Sequence, residues 1–210
     1  MTATRIEAEL SPAVTARLPH HARGTRAFGW WGMVCLIATE AVLFAALLAS
    51  YWYLRFRSGP VWPPGGIEKP TLELPIIMSA ILLTSSIPVH IAEKGIEKGR
   101  QGLLRAGLGV GFVLGAIFLA ITVGVEWPEK LEEFSPRTNV YGSLFFTVTG
   151  FHASHVLVGL AISLWTQIRA WRGAFDENRH VTVQNFAMYW HFVDVVWIFV
   201  FSTIYLSPNL

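Results

Sequence analysis

Five long apolar segments, separated by shorter polar connections, follow one another from Phe28 to near the end of this sequence. A helix needs about 20 mostly apolar residues to cross a hydrocarbon core of about 30 Å, and each segment is close to or above that length. Because lipid offers the backbone no hydrogen-bond partner, such a segment forms a helix rather than an open strand. The sequence therefore predicts an all-α integral membrane bundle of five transmembrane helices, at about residues 28–56, 74–96, 103–127, 139–170 and 183–207.

The amino-acid composition supports a membrane protein and argues against other classes. Hydrophobic residues make up 53% of the 210 positions and charged residues only 14%, whereas a soluble domain usually carries about 25% charged residues. The net charge of +2, without a basic block, gives no support for a nucleic-acid partner. Residues 1–27 are polar and are predicted to form a tail, so residues 28–210 constitute a single predicted membrane domain.

The distribution of lysine and arginine among the connections predicts how the chain is oriented in the membrane. One side carries most of the 16 basic residues, in the N-terminal tail and in the second and fourth connections. The opposite side carries Arg55, Arg57, Lys69, Lys130 and Arg137. Since basic residues are enriched on the cytoplasmic side, we expect a cytoplasmic N-terminus and, after five crossings, a periplasmic C-terminus.

The last apolar segment carries an ionisable pair at membrane depth. Asp194 is its only formal charge, and His191 precedes it by three residues, which puts both side chains on one helix face. A charge at the bilayer centre costs at least roughly 2.5–3.5 kcal/mol, so such a group normally faces protein or water. We therefore expect this face to contact a neighbouring helix.

Three further ionisable residues in other apolar segments predict a polar layer across the bundle. Glu40 is the only charge of the first segment, and His152 and His155 form an H-x-x-H pair in the fourth. Imidazole and carboxylate at such spacing are able to bind zinc or iron, or a haem between helices. The spacing favours a hydrogen-bonded network between helices instead, because no Glu-x-x-His pattern or cysteine accompanies the histidines. For Glu40, a proton-handling or partner-contacting group and a neutral hydrogen-bonded acid remain equal alternatives.

The third apolar segment has a face of small residues. Gly107, Gly111 and Gly115 recur every four residues, and small residues at that spacing let two membrane helices approach closely. Such spacing is common in membrane helices, so it predicts a close contact without identifying the neighbour.

Four stretches of the sequence match one known family, in that family's order. They are Thr39-Glu40, WPPGGI at Trp62–Ile67, VYGSLFFTVTGFHASHVLVG at Val140–Gly159 and YWHFVDVVWIFVF at Tyr189–Phe201. These stretches resemble subunit III of the haem–copper oxidases, of the cytochrome c oxidase type, in which serine replaces Thr39. The family's long form has seven crossings, so the chain is similar to the short, five-helix bacterial form. In some relatives the two missing helices are fused to subunit I.

The resemblance implies an accessory role in a larger complex. Such a complex, here of the proton-pumping aa3 type, passes electrons from cytochrome c to oxygen in aerobic respiration at the bacterial inner membrane. Haem and copper belong to partner subunits, so the resemblance implies no cofactor, metal site or catalytic residue in this chain. Subunit I is the main implied contact, with subunit II, phospholipids and, indirectly, cytochrome c as further partners. Membership of a respiratory supercomplex is also compatible with it.

The resemblance also implies roles for individual residues. Glu40 would be the buried carboxylate that faces subunit I and the lipid cleft and that supports proton uptake and sustained turnover. Arg172 and Trp52 would contact lipid headgroups. The structural polar network of the bundle would consist of His152, His155, His191 and Asp194.

Other functions are compatible with the same residues. Within the family, the chain is also similar to the matching subunit of a quinol oxidase and to the accessory subunit of a nitric oxide reductase. A self-contained b-type cytochrome would take its haem ligands from the membrane histidines and would show a haem band in the isolated chain. A proton-coupled transporter would use Glu40 and Asp194 as relays. The inverted repeats and broken helices typical of transporters are not found in the sequence.

Overall fold

The computed structural model describes residues 28–59 and 61–210, and the predicted tail at 1–27 lies outside the described residues. Five helices, each long and apolar enough to cross a membrane, account for most of that part of the chain. They are α1 (Phe28–Arg57), α2 (Glu73–Glu97), α3 (Gln101–Glu133), α4 (Val140–Trp171) and α5 (Val181–Asn209). No β-strand occurs among the described residues, so the predicted all-α bundle of five membrane helices is confirmed.

Two of the helices continue past the point where the apolar pattern stops. In α3 a π-helical turn, Thr122–Glu126, is followed by a regular segment, Trp127–Glu133. Pro128 lies in the first turn of that segment, where its missing N–H costs little, and the glutamates and lysine that follow favour helix. In α5 a similar π-helical turn, Ser202–Leu206, precedes a short final turn. Because the residues from Trp127 to Glu133 favour helix, α3 ends at Glu133 rather than near residue 127, where the sequence predicted its end.

Four of the helices form a ring, and the first helix packs against the outside of it. Helix α2 contacts α3 and α5, and α4 contacts the same two helices. Helix α1 packs mainly on α5 and, over a smaller region, on α4. Its buried side chains are Phe44 and Tyr51, so most of its surface is left to face lipid or another protein.

Glycines set the closest contacts within the ring. A Cβ atom added to Gly107 would lie 2.3 Å from the Pro88 carbonyl oxygen of α2. On Gly115 it would lie 2.5 Å from Cη2 of Trp190, and on Gly159 of α4 it would lie 2.8 Å from Cζ3 of the same ring. Carbon atoms in contact normally lie about 3.5–4.0 Å apart. The predicted close approach along the glycine face of α3 is confirmed, and the Trp190 ring fills the space between α3 and α4.

The two tryptophans of the last apolar segment are buried and bind α5 to α2. Trp190 Nε1 donates to Ser85 Oγ at 2.8 Å, and Trp197 Nε1 donates to Ser79 Oγ at 2.8 Å. An unpaired indole N–H at such a buried position would be costly. The aromatic face of α5 therefore packs into the ring with its hydrogen-bond donors satisfied.

The loop between α1 and α2 folds over the ends of three helices. Trp62 Nε1 donates to the Tyr51 hydroxyl at 2.8 Å, and that hydroxyl lies 2.9 Å from Ser207 Oγ on α5. Asn139, whose side chain caps the start of α4, donates from Nδ2 to the Pro64 carbonyl oxygen at 2.8 Å. These bonds hold the WPPGGI loop against α1, α4 and α5.

Candidate functional site

Glu40 and His155 form a hydrogen-bonded pair between α1 and α4. Glu40 Oε2 lies 3.0 Å from His155 Nε2, and the other ring nitrogen, Nδ1, lies 2.7 Å from the Phe151 carbonyl oxygen. A carbonyl oxygen only accepts, so His155 Nδ1 carries a proton. One further proton then lies between the two side chains. Either the acid donates to a neutral imidazole or an imidazolium donates to the carboxylate, and the pair has no net charge in both states.

This pair lies at the surface of the bundle rather than in its core. The Glu40 side chain is 30% exposed and that of His155 is 14% exposed. Both line a cavity of about 170 Å³, together with Leu36, Ser154 and Tyr189. The shared proton is therefore accessible from outside the helix ring.

Ser86 on α2 joins the two ionisable residues of α5. Its hydroxyl donates to Asp194 Oδ2 and lies 2.8 Å from His191 Nδ1. Since serine has one O–H proton, the ring nitrogen is the donor in that second contact. Asp194 is buried, and its Oδ1 has no hydrogen-bond partner among the described residues. The prediction that His191 and Asp194 share a face toward a neighbouring helix is confirmed.

Sequence reasoning missed Ser86. A serine in an apolar segment usually bonds to its own helix, as Ser85 does with the Leu82 carbonyl oxygen. Nothing in the pattern of α2 distinguishes these two adjacent serines. Only the packing of α5 against α2 selects Ser86 as the bridge.

His152 lies apart from both pairs. It is 1% exposed, and neither ring nitrogen has a hydrogen-bond partner within residues 28–59 and 61–210. Its ring centroid lies 4.9 Å from that of Trp197 and 5.9 Å from that of Phe118. Residues three apart lie about 60° from each other around a helix, and the packing here leaves His152 in the core while His155 contacts Glu40 of α1.

The four residues expected to form one polar network thus lie in three separate contacts. His155 binds Glu40, His191 and Asp194 meet at Ser86, and His152 packs among aromatic rings. Each polar contact joins a different pair of helices. The structure therefore places these groups in separate contacts rather than in one connected hydrogen-bonded network.

A further acidic group, Glu126 at the end of the third apolar segment, is buried. Glu126 is 2% exposed in the π-helical turn of α3 and accepts a hydrogen bond from the Tyr205 hydroxyl in the π-helical turn of α5. The neighbouring Tyr141 hydroxyl donates to the Ile204 carbonyl oxygen at 3.2 Å. The one sequence signal, a glutamate directly after an apolar segment, is equally typical of an exposed interfacial acid.

The two residues predicted to contact lipid lie at opposite ends of the bundle. Arg172 follows α4 and is exposed. Trp52 lies near the end of α1, is 37% exposed, and has the Arg55 guanidinium 5.3 Å from its ring centroid. Both positions suit a membrane boundary, and lipid contact at them stays a prediction.

The described residues offer no evident metal centre. No group of three or more histidine, cysteine, aspartate or glutamate side chains placed to hold a metal ion occurs in residues 28–59 and 61–210. The expectation that haem and copper belong to partner subunits stays a prediction. The polar groups described above are able to hold protons and to join helices.

Comparison with known proteins identifies the family. The family model described as "Cytochrome c oxidase subunit III" matches residues 14–208. Cytochrome c oxidase subunit 3 of Synechocystis sp. is 33% identical over 208 residues, which cover 98% of this chain and 87% of the relative. The subunit of the same name from Locusta migratoria is 35% identical over 184 residues, 83% of this chain and 67% of the relative. Cytochrome bo(3) ubiquinol oxidase subunit 3 of Pseudomonas aeruginosa is 34% identical over 193 residues, which cover 91% of this chain and 89% of the relative.

These matches span the five helices almost completely and include both polar pairs. The relatives are named after two classes of oxidase, one using cytochrome c and one using ubiquinol, at nearly equal identity. The matches therefore establish the subunit without establishing the electron donor. This multi-pass membrane chain belongs to the cytochrome c oxidase subunit III family and is the third subunit of a haem–copper oxidase.

Proposed function

We propose that this chain is the accessory subunit III of a proton-pumping aa3-type cytochrome c oxidase in a bacterial plasma membrane. In that complex, electrons pass from cytochrome c to oxygen through haem and copper held by subunits I and II. The chain binds phospholipid and, through Glu40, supports proton uptake and sustained turnover. Its N-terminus is cytoplasmic and its C-terminus periplasmic, as the distribution of basic residues predicts.

The observation that carries this proposal is the placement of Glu40 on α1, outside the helix ring. Because its buried side chains are Phe44 and Tyr51, α1 has much surface left for a partner. Glu40 is 30% exposed there. An ionisable group at membrane depth normally faces protein or water, which supports subunit I as the neighbour of this face.

The proton shared by Glu40 and His155 suits a role in proton uptake. Because the pair is neutral whichever side chain holds the proton, it avoids the cost of an isolated charge in a low-dielectric medium. The cavity beside it gives a water molecule or a partner group a place to exchange that proton. In this proposal the chain holds and positions a proton, and the redox chemistry belongs to its partners.

Purification of the tagged chain in mild detergent, with mass spectrometry and an absorption spectrum on the same sample, tests the proposal. We expect a large haem–copper subunit and a copper-containing subunit to co-purify, with haem a bands and oxidation of reduced cytochrome c. A solitary colourless chain would contradict the assignment to an oxidase. A solitary chain with haem bands would show that its own histidines bind haem.

A quinol oxidase is the second candidate function. It is favoured by the Pseudomonas aeruginosa relative, whose name is that of a ubiquinol oxidase subunit and which matches 91% of this chain. Oxygen consumption by the purified complex, with reduced cytochrome c or ubiquinol as the donor, separates the two candidates. Activity with ubiquinol alone would replace the aa3 assignment and leave the family unchanged.

A further inference from the structure

Tyr205 differs from the other buried tyrosines in the group that accepts its hydroxyl proton. It is fully buried, and its hydroxyl donates to Glu126 Oε1. The hydroxyls of Tyr51, Tyr141 and Tyr189 contact a serine hydroxyl or a backbone carbonyl oxygen instead. A carboxylate takes up a proton, whereas a carbonyl oxygen or a serine hydroxyl accepts a hydrogen bond without doing so. Among these four tyrosines, only Tyr205 is therefore paired with a base.

The Glu126 carboxyl group has a second oxygen that is free to hold a proton. The residue is 2% exposed, and its Oε2 is shielded and has no hydrogen-bond partner within residues 28–59 and 61–210. A carboxylate is costly in such a buried place, and a proton on either oxygen removes its charge. Glu126 is thus placed to take the hydroxyl proton of Tyr205 and to keep it away from water.

A series of aromatic rings connects Tyr205 with the end of α1. The centroid of Phe145 lies 5.8 Å from that of Tyr205 and 6.4 Å from that of Tyr141. The Tyr141 centroid lies 5.8 Å from that of Trp62. Trp62 in turn lies 5.4 Å from Tyr51, centroid to centroid, and donates to its hydroxyl at 2.8 Å. These separations are those of directly paired rings, about 4.5–7 Å.

The series ends at the surface with Trp52. Its ring centroid lies 5.8 Å from that of Tyr51, and the residue is 37% exposed near the end of α1. Tryptophan and tyrosine are the aromatic side chains that lose one electron most readily, so neighbouring rings of these types pass an electron between them. We call the series the aromatic chain; it consists of Trp52, Tyr51, Trp62, Tyr141, Phe145 and Tyr205.

We propose that Tyr205 is a redox-active tyrosine that stores an oxidising equivalent taken up at Trp52. A radical oxidant at the membrane boundary, of the lipid peroxyl class, takes one electron from Trp52 and, with a proton from water, becomes a hydroperoxide. One electron then moves outward from Tyr205 along the aromatic chain. The O–H bond of Tyr205 breaks, its proton passes to Glu126, and a neutral phenoxyl radical remains.

The sequence of steps is reversible. A one-electron reductant at the exposed end of the aromatic chain returns an electron to Tyr205, and Glu126 returns the proton. The bundle thereby removes radicals from its lipid boundary and holds the oxidising equivalent where neither lipid nor water reaches it. The site depends on the fold of this chain and is independent of the electron donor of the complex. Failure of the proposed function would leave it standing.

Flash oxidation of the purified complex, followed by electron paramagnetic resonance spectroscopy, tests the proposal. A soluble ruthenium tris-bipyridine complex, illuminated with a sacrificial electron acceptor, supplies the one-electron oxidant, and the sample is then frozen. Ring-deuterated tyrosine, incorporated during growth, identifies the tyrosyl signal by its narrowed splitting. We expect the wild type to show a tyrosyl signal that is lost from Tyr205→Phe.

Two conservative variants test the proton acceptor and the entry point. Glu126→Gln keeps an acceptor oxygen for the Tyr205 hydroxyl but takes up no proton, so the Tyr205 signal should be lost. Trp52→Phe keeps an aromatic ring at an exposed position, so the complex should assemble. Because phenylalanine is much harder to oxidise, the Tyr205 signal should fall several-fold. This variant serves as the test if Tyr205→Phe fails to assemble.

The matched control is Tyr53→Phe. Tyr53 follows Trp52 on α1, is exposed, and accepts a hydrogen bond from Arg57 Nη1 without belonging to the aromatic chain. Its Tyr205 signal should equal that of the wild type.

Three results would overturn the proposal. One is the same tyrosyl signal in the wild type and in Tyr205→Phe, which would show that the contact with Glu126 is only structural. The second is a full Tyr205 signal in Glu126→Gln, which would show that the proton goes elsewhere. The third is a full Tyr205 signal in Trp52→Phe, which would show that Trp52 is not the entry point.

Discussion

Glu40 hydrogen-bonds to His155 whether it is the donor or the acceptor of the shared proton. In Glu40→Gln the amide retains a donor toward His155 Nε2, so the contact between α1 and α4 should survive. A hydrogen bond between membrane helices averages about 0.6 kcal/mol, and we expect the loss of stability to stay below about 1 kcal/mol. The variant should assemble with normal haem content, while proton uptake slows and activity declines under sustained turnover. Haem content, thermal unfolding and proton-uptake rate of the purified complex are the measurements.

Glu40→Ala is the control for that substitution, because it removes the hydrogen bond as well as the proton. It should reduce proton uptake similarly and lower stability further. If Glu40→Gln instead fails to assemble, Glu40 is mainly a packing residue and its proposed role in proton uptake is wrong.

Asp194 is the acceptor for the Ser86 hydroxyl. Asp194→Ala leaves the partly buried Ser86 without that acceptor and opens a small cavity between α2 and α5. We expect a loss of about 1–3 kcal/mol in the free energy of unfolding, seen as a lower melting temperature in detergent. Asp194→Asn retains an acceptor oxygen and should lose less. Equal yield and melting temperature for Asp194→Ala and the wild type would count against this contact.

The residue-scale predictions succeeded where one helix decides the outcome. His191 and Asp194 share a face because they are three residues apart on α5. The partners across helices depend on how each helix is rotated about its axis and shifted along its neighbour. Ser86 and the aromatic surroundings of His152 arise from that packing, so the pattern along a single helix gives no access to them.

At the scale of helices, the packing of α3 and α4 around Trp190 makes two glycines sensitive to substitution. A Cβ at Gly115 would lie 2.5 Å from Trp190 Cη2, so Gly115→Ala should force the ring or α3 to move. Overpacking of this kind typically costs about 1–3 kcal/mol, measurable by thermal unfolding in detergent.

The control lies in the same helix. Gly102 of α3 has nothing within 4 Å of its added Cβ, and alanine is the better helix former there. Gly102→Ala should therefore be neutral or slightly stabilising. Equal melting temperatures for the two variants would show that α3 shifts freely and that the glycine contact is unimportant.

The π-helical turns of α3 and α5 meet through Glu126 and Tyr205. Tyr205→Phe removes the one hydrogen bond that this carboxyl makes among the described residues. Leaving a buried acceptor unsatisfied costs about 1–3 kcal/mol, so the melting temperature should fall. Tyr53→Phe, at an exposed position on α1, is the control and should change it little. No difference between these two variants would contradict a stabilising role for the contact.

The ends of the helices were harder to predict than their number. Five apolar segments require five crossings, because no other arrangement satisfies the backbone in lipid. The end of α3 lies beyond the apolar segment, where the residues are mostly polar. There, the helix-favouring residues of Trp127–Glu133 and the bond to Tyr205 decide where the helix continues.

At the scale of the whole molecule, the arrangement of four helices in a ring with α1 outside it could not be predicted from the hydropathy pattern. Apolar length alone does not state which helices are neighbours. The glycine contacts of α3 with α2, and the bonds of α5 to Ser79 and Ser85 of α2, close the ring. Helix α1 packs on the outside of this ring, against α5 and α4.

An accessory role for such a molecule predicts how its removal affects the complex. A complex lacking this chain should keep its haem spectrum and its initial rate of oxygen reduction, because the redox centres lie in partner subunits under the proposed function. Activity should then decay over successive turnovers. Oxygen consumption followed over time, with the purified chain added back as the control, measures this. A complex that loses haem when the chain is absent, or that decays no faster than the intact one, would contradict the accessory role.

The packing of the Trp190 ring between Gly115 and Gly159 also limits which substitutions this sequence can accept during evolution. Its indole contacts glycines on two helices and a serine on a third, so four helices meet at one side chain. Enlarging either glycine alone collides with the ring, and shrinking the ring alone leaves a void and removes the hydrogen bond from the indole to Ser85. Viable descendants of this sequence should therefore change these positions together or not at all. In an alignment of descendants, the three positions would covary as a unit even though they lie far apart in the chain.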